Sequence, residues 1–418
     1  MRPRASRPLI TLVAAMRTIG LAGVALTLTD CGHSNSTTAT STNYTVGGTI
    51  SGLTVSSLVL ANGTATVTIA AGSTTWVFPV TFVAGSSYSV TVKTQPTGEQ
   101  CAITGGASGM DTGSVANVTV ACAYGQWTWE AGSTTVNASG NYGTQGTPAS
   151  SNVPGARYSA SSWTDSSGNQ WLFGGVGYDS TGATGYLNDL WQHSPSSGVW
   201  TWVSGGNADN ASGVYGTQGT AAAGNVPGAR YSASTWTDSS GNLWIFGGYG
   251  YDSNGSVGRL NDLWHYTPSS GQWTWIGGED DFNATGVYDS LGIAALGYVP
   301  GARYSASSWI DSTGNLWLFG GYGYDSTGGV GNLNDLWRYS PSSGEWTWVS
   351  GGDGDNAGGV YGTLGTGAPG DVPGARYSAS SWTDSSGNLW LFGGVGYDST
   401  GAAGDLNELW QYDPSTGG

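Results

Sequence analysis

The chain has 418 residues and carries 27 carboxylates against 11 basic side chains, a formal net charge of −16, although only 9% of it is charged. Beyond the first thirty residues the basic side chains are Lys93, Arg157, Arg230, Arg259, Arg303, Arg338 and Arg376, too few to neutralise a run of phosphates, which excludes a nucleic-acid partner. Disorder is excluded by 21 Trp and 22 Tyr, because chains that cannot bury a core are poor in aromatics.

Residues 1–31 read as an export signal, with positive charge in "RPRASRP" and an apolar stretch, "ITLVAAMRTIGLAGVALTL", ahead of Cys31. Arg17 interrupts that stretch, and a start at Met16 leaves a more compact signal. The end, "LTDC", resembles the lipobox of bacterial lipoproteins, with Asp30 departing from the small residue expected there. The resemblance implies lipidation at Cys31, with release of a soluble secreted form as the alternative. Residues 32–43 are polar and suit a flexible tether. No later stretch is long and apolar enough to span a bilayer, so membrane attachment would come only from a lipid on Cys31. The expected location is the outer membrane or cell surface, or the periplasm.

Residues 44–123 alternate small apolar and polar residues between Gly, Asn and Pro turns, as in "TATVTIAAG" and "SYSVTVKTQP". That pattern predicts a small antiparallel β-sandwich. Cys101 and Cys122 are expected to form a disulfide in an oxidising compartment, closing a loop worth roughly 3 kcal/mol by chain entropy. The segment resembles the Ig-like or prealbumin-like spacer domains of bacterial surface proteins, which implies a spacer with no chemistry of its own.

Residues 124–418 repeat with a fixed period of 73, giving units 127–199, 200–272, 273–345 and 346–418. "PGARYSASSW" recurs in phase, and so do Arg157, Arg230, Arg303 and Arg376 and the Gly-Gly doublets at 174, 247, 320 and 393. Such self-similarity predicts an array in which each unit buries its apolar face on the next. Each unit holds four strand candidates, in the second "RYSASTWTD", "NLWIFGG", "LNDLWHYT" and "WTWIGG". The first two, like the last two, are joined by tight Gly-bearing turns, and the other connections are long, which puts every long loop on one side. This order of Arg, Gly doublet, aromatic and Trp resembles the kelch repeat, a blade of the β-propeller found in galactose oxidase-like proteins. The implied fold is all-β: four four-stranded antiparallel blades, with the N-terminal strand at 127–129 completing the last blade at 406–412.

Four candidate chemistries follow from the repeats. The Arg ring is expected to pair with Asp189, Asp262, Asp335 and Glu408 and so to be structural. The aspartate of "WTDSSGNLW" is expected to cap its own hairpin. The copper centre of galactose oxidase has no counterpart, because no Cys follows Cys122 and His193 and His265 occupy unrelated repeat positions. No metal site, cofactor or catalytic set is therefore expected. The ligand-binding candidates are the loop pairs Tyr178-Asp179, Tyr251-Asp252, Tyr324-Asp325 and Tyr397-Asp398, beside long unequal loops that each keep a tyrosine at Tyr142, Tyr215, Tyr288 or Tyr361.

The resulting expectation is a monomeric, non-catalytic binding protein of the bacterial surface or periplasm that presents its loop face to a protein or glycan. A glycan-active enzyme using acidic residues is the first alternative, and a passive structural surface protein is the second.

Overall fold

A computed structural model describes residues 43–110, 113–125 and 128–416. The signal segment, the candidate start at Met16, Cys31 and the tether up to residue 42 lie outside the described residues. The chain divides into two compact units between Thr128 and Trp129.

The N-terminal unit is all-β. One four-stranded sheet runs in the order Thr75–Val77, Val46–Ser51, Val115–Tyr124, Glu99–Gly105, and a second in the order Ala65–Ile69, Leu58–Asn62, Ser87–Thr94, Ser108–Met110. Alternate residues of both sheets, including Val46, Leu58, Leu60, Val118 and Val120, join one buried cluster with Tyr44, Trp76 and Phe78. The sequence pattern predicts only antiparallel pairing, but Val115–Tyr124 runs parallel to Val46–Ser51. The long excursion between those segments supplies the crossover that a parallel pair requires. Cys101 and Cys122 face each other across the antiparallel pair of Glu99–Gly105 and Val115–Tyr124 and are disulfide-bonded. The bond points to an oxidising, exported compartment. Among the described residues no helix is long and apolar enough to cross a membrane.

The C-terminal unit is built from sheets that follow the 73-residue period, and its several antiparallel sheets are compatible with a β-propeller-like fold. Counted by sheet, the second repeat has a first strand in two pieces, Arg230–Tyr231 and Ser234–Thr237, followed by Leu243–Tyr251, Val257–Thr267 and Gln272–Gly277, the last crossing the boundary between units 200–272 and 273–345. Each strand pairs with the next as an antiparallel meander. Ser232 between the two pieces has φ near 52°, and its N–H donates to the carbonyl of Ser159 one repeat earlier. Ser305 and Ser378 extend this chain of inter-repeat hydrogen bonds.

Repeats pack through apolar faces. Trp163, Trp171, Phe173 and Leu190 of the first meet Leu243, Ile245, Tyr266 and Trp273 of the second, and the same contact recurs between the second and third and between the third and fourth. The two ends differ. At the leading face of the first repeat, Gln170 and His193 replace the Leu and Tyr found in later repeats, as suits a face with no repeat ahead of it. At the trailing face of the fourth, Trp382, Phe392 and Leu409 are 44%, 44% and 53% exposed, although their counterparts in the second repeat are buried.

The expected closure is not observed. Thr128 and Trp129 lie in no strand, Trp129 is exposed with its indole N–H donating to the Ala131 carbonyl, and Trp127 lies outside the described residues. Leu409–Tyr412 pairs with Leu389–Phe392 and with no second strand among the described residues. No hydrogen bond joins Ser159 to Ser378, so the serine chain is open where a closed ring of these repeats would continue it.

Candidate functional site

The repeated arginine is the buried centre of each sheet. Arg230 donates through Nη1 and Nη2 to Oδ1 and Oδ2 of Asp262 at 2.6 and 2.7 Å, through Nε to the Gly228 carbonyl and through Nη1 to the Gly247 carbonyl. Asp262 Oδ2 also accepts from the Tyr215 hydroxyl and the Trp264 indole N–H at 2.6 and 2.7 Å. Burial disfavours the Arg230 charge, but Asp262 outweighs it and lifts the guanidinium pKa above its ordinary value. Burial, then the adjacent carboxylate, pushes the Tyr215 phenol well up. The Gly doublet belongs to this network: Gly247 has φ near 64°, and a Cβ there would lie 2.7 Å from the Arg303 carbonyl of the next repeat.

Arg157–Asp189 and Arg303–Asp335 repeat this bidentate arrangement. Arg376 meets Glu408 through one oxygen only, at 2.5 Å. The extra methylene of Glu408 displaces the carboxylate, and the Trp410 indole N–H is buried with no partner, whereas Trp191, Trp264 and Trp337 each donate to their aspartate.

The long loops are tied into the same sheets. Tyr142, Tyr215, Tyr288 and Tyr361 donate to Asp189, Asp262, Asp335 and Glu408, so each anchors its loop. In the first repeat Gly146 N–H donates to the Trp202 carbonyl and Asn152 Nδ2 to the Trp200 carbonyl, which covers the outer strand Val199–Ser204. A covered edge cannot template pairing with another chain. The hairpin aspartates cap their turns: Asp238 Oδ1 accepts from the N–H groups of Ser240 and Asn242, and Oδ2 from Asn242 Nδ2 and the Trp244 indole. At the partly exposed Asp384 the matching Trp390 and Asn388 bonds hold the carboxyl down at about 2.

The loop pairs divide by residue type. Asp179, Asp252, Asp325 and Asp398 accept backbone N–H groups two and four positions ahead, such as Asn254 and Ser256 at 2.8 Å for Asp252. Burial raises the Asp179 and Asp325 pKa values, and these hydrogen bonds outweigh it and hold both below the ordinary value. Asp325 Oδ2 also accepts from the Asp355 N–H. In the second repeat Asp281 takes the matching donor, Phe282 N–H, and Asp252 Oδ2 is left buried without a partner. Of the four tyrosines, Tyr251 and Tyr324 join a larger aromatic cluster, and Tyr178 and Tyr397 make no ring contact among the described residues.

That cluster is the feature sequence reasoning missed. Three residues lie side by side across the strands of each repeat: Tyr158, Val176 and Tyr186; Tyr231, Tyr249 and Arg259; Tyr304, Tyr322 and Asn332; Tyr377, Val395 and Asp405. Ring contacts link Tyr186, Tyr231, Tyr249, Tyr304, Tyr322 and Tyr377 into one band, with neighbouring centroids 5.2 to 6.2 Å apart. All six are partly exposed, and no hydrogen bond reaches their hydroxyls among the described residues. Burial, then the neighbouring phenols, pushes Tyr231 up to about 12. In the first three rows the third position reaches the following repeat. Tyr186 packs on Tyr231, Tyr249 and Tyr251, and Arg259 lies over Tyr304, Tyr322 and Tyr324 with its guanidinium carbon 5.9, 4.9 and 5.6 Å from their centroids. Asn332 Nδ2 donates to the Val395 carbonyl. The signal was present in the sequence as Val/Tyr/Tyr/Val and Tyr/Arg/Asn/Asp at two in-phase positions.

His193 packs on Trp200 and His265 stacks on Trp244 at 4.5 Å, which places the two histidines in different repeats against different partners. Among the described residues no group of three or more His, Cys, Asp or Glu could hold a metal ion. Comparison with protein-family models and with curated proteins gives no match.

Proposed function

We propose that the chain is a non-catalytic binding protein of the bacterial surface or periplasm whose ligand is a carbohydrate held on the tyrosine band. In this reading the repeats are blades of a kelch-like β-propeller. The N-terminal sheets form a sandwich that spaces it from a membrane, with a lipid on Cys31 as the anchor. The observation that carries the proposal is the band: partly exposed phenol rings in van der Waals file, with hydroxyls that take no partner among the described residues. Sugars present C–H faces that pack on aromatic rings and hydroxyls that exchange hydrogen bonds with phenols, which is why apolar walls with a few placed polar groups suit them. Tyr251 and Tyr324 bring the loop side into the same surface. Each aspartate of the loop pairs accepts from its own turn through Oδ1, which supports a turn-capping role over acid–base chemistry.

The test is binding of the intact protein to an immobilised glycan panel, alongside a Tyr249→Ala/Tyr322→Ala variant. The reading expects binding to some glycans and at least a tenfold loss in the variant. Absence of glycan binding, or binding that survives the double substitution, would reject it. Release of shortened sugars by the wild-type protein would favour the enzyme alternative.

A further inference from the structure

Arg259 is the cation of the tyrosine band, and the band's repeat symmetry breaks around it. The four ring arginines each bind a carboxylate within 2.6 Å, but the Arg259 guanidinium makes no hydrogen bond or ion pair among the described residues. Its Nε is buried and without a partner. Its flat face is taken by Tyr322, with Tyr304 and Tyr324 beside it. What remains is the edge carrying both Nη groups, which is neither bonded nor shut off from solvent. An unpaired guanidinium in a chain of net charge −16 has many potential partners, so its lack of one is a property of the site. Two parallel N–H groups on a fixed planar fork match the two oxygens of a carboxylate, and aromatic faces at the back both hold the fork and lower the local dielectric.

We propose that Arg259 binds the carboxylate of an acidic carbohydrate, a uronate-type or sialate-type sugar whose ring lies on the tyrosine band. This rests on the carbohydrate reading above and names its ligand class. Tyr249, directly opposite Arg259 across the strand pair, lies next to the sugar-bearing side, and Tyr231 completes the row. The other repeats cannot duplicate the site, because Tyr186, Asn332 and Asp405 stand where Arg259 does.

The test is isothermal titration of the intact protein with two pairs of probes: oligogalacturonate against its methyl ester, and sialyllactose against lactose. Esterification keeps the sugar and removes the charge. The proposal expects one acidic member to bind at least tenfold tighter than its neutral counterpart. It expects Arg259→Gln to bring the acidic member down to the affinity of its neutral counterpart measured in the same variant, and Arg259→Lys, which keeps the charge without the fork, to restore only part of the preference. The preference should also weaken with added salt in the wild-type protein, a check that needs no variant to fold. Equal affinity for acid and neutral forms, or a preference unchanged in Arg259→Gln, would overturn the acid specificity and leave the carbohydrate reading standing. Absence of binding to any of the four probes would overturn the proposal, while glycan binding elsewhere in the panel would keep the broader reading.

Discussion

The Trp236 indole N–H donates to the Trp317 carbonyl, 3.2 Å away and in the next repeat. Trp163 and Trp309 make the same bond to Trp244 and Trp390, so this indole bond recurs at each contact between repeats. Trp382 has the same sequence environment, no such partner, and 44% exposure against 4% for Trp236. Replacing Trp236 by Ala is expected to cost about 3 to 5 kcal/mol, as for buried aromatics in general. The same change at Trp382 is expected to cost less than about 1 kcal/mol. Chemical denaturation of both variants checks the difference; equal losses would mean that the fourth trailing face is covered in solution.

Asp262 gathers Arg230, Tyr215 and Trp264 on one carboxylate, whereas Asp238 holds only its own hairpin and an adjacent indole. Asp262→Ala leaves a fully buried guanidinium uncompensated and is expected to destabilise by about 3 to 5 kcal/mol. Asp238→Ala removes a partly exposed turn cap, with an expected loss of about 1 to 2 kcal/mol. Thermal unfolding of the two variants should rank them in that order.

Glu408 offers a gain instead of a loss. Glu408→Asp restores the side-chain length that lets Asp189, Asp262 and Asp335 reach both the arginine fork and an indole. Satisfying the buried Trp410 N–H is expected to stabilise the fourth repeat by about 1 kcal/mol. Slower hydrogen exchange in residues 389–412 would register it; unchanged exchange would show that length is not the defect.

The tyrosines set an alkaline limit. Burial pushes Tyr339 up to about 12, and Tyr231 reaches about 12 through burial and its phenol neighbours. An unfolded tyrosine releases its proton near 10, so between about pH 10 and 12 the unfolded chain binds fewer protons than the folded one. Their contribution to stability is therefore whole below pH 10 and is lost as pH rises towards 12. Tyrosinate absorbance should show a class titrating well above 10, followed by unfolding, instead of one transition at 10.

Much of this was legible in the sequence because it is local or periodic. The 73-residue phase located the repeats, the Arg and Asp placed one strand apart foretold the buried pairs, and the spacing of Asp238, Asn242 and Trp244 foretold the capped hairpin. Closure was not legible, because it depends on the rotation from one repeat to the next. The parallel pairing of Val46–Ser51 with Val115–Tyr124 was hidden because β-alternation does not encode strand direction. The tyrosine band was missed because Val176 and Tyr186 lie on different strands and become neighbours only through register. The long loops drew attention by their length, and the structure uses Tyr215 and its mates to anchor them.

The most direct measurement is hydroxyl-radical footprinting of the intact protein with and without a bound oligosaccharide. The account predicts protection of Tyr231, Tyr249, Tyr304 and Tyr322, with residues 205–228 unchanged. Protection confined to the long loops, with the four tyrosines as reactive as in the free protein, would contradict it.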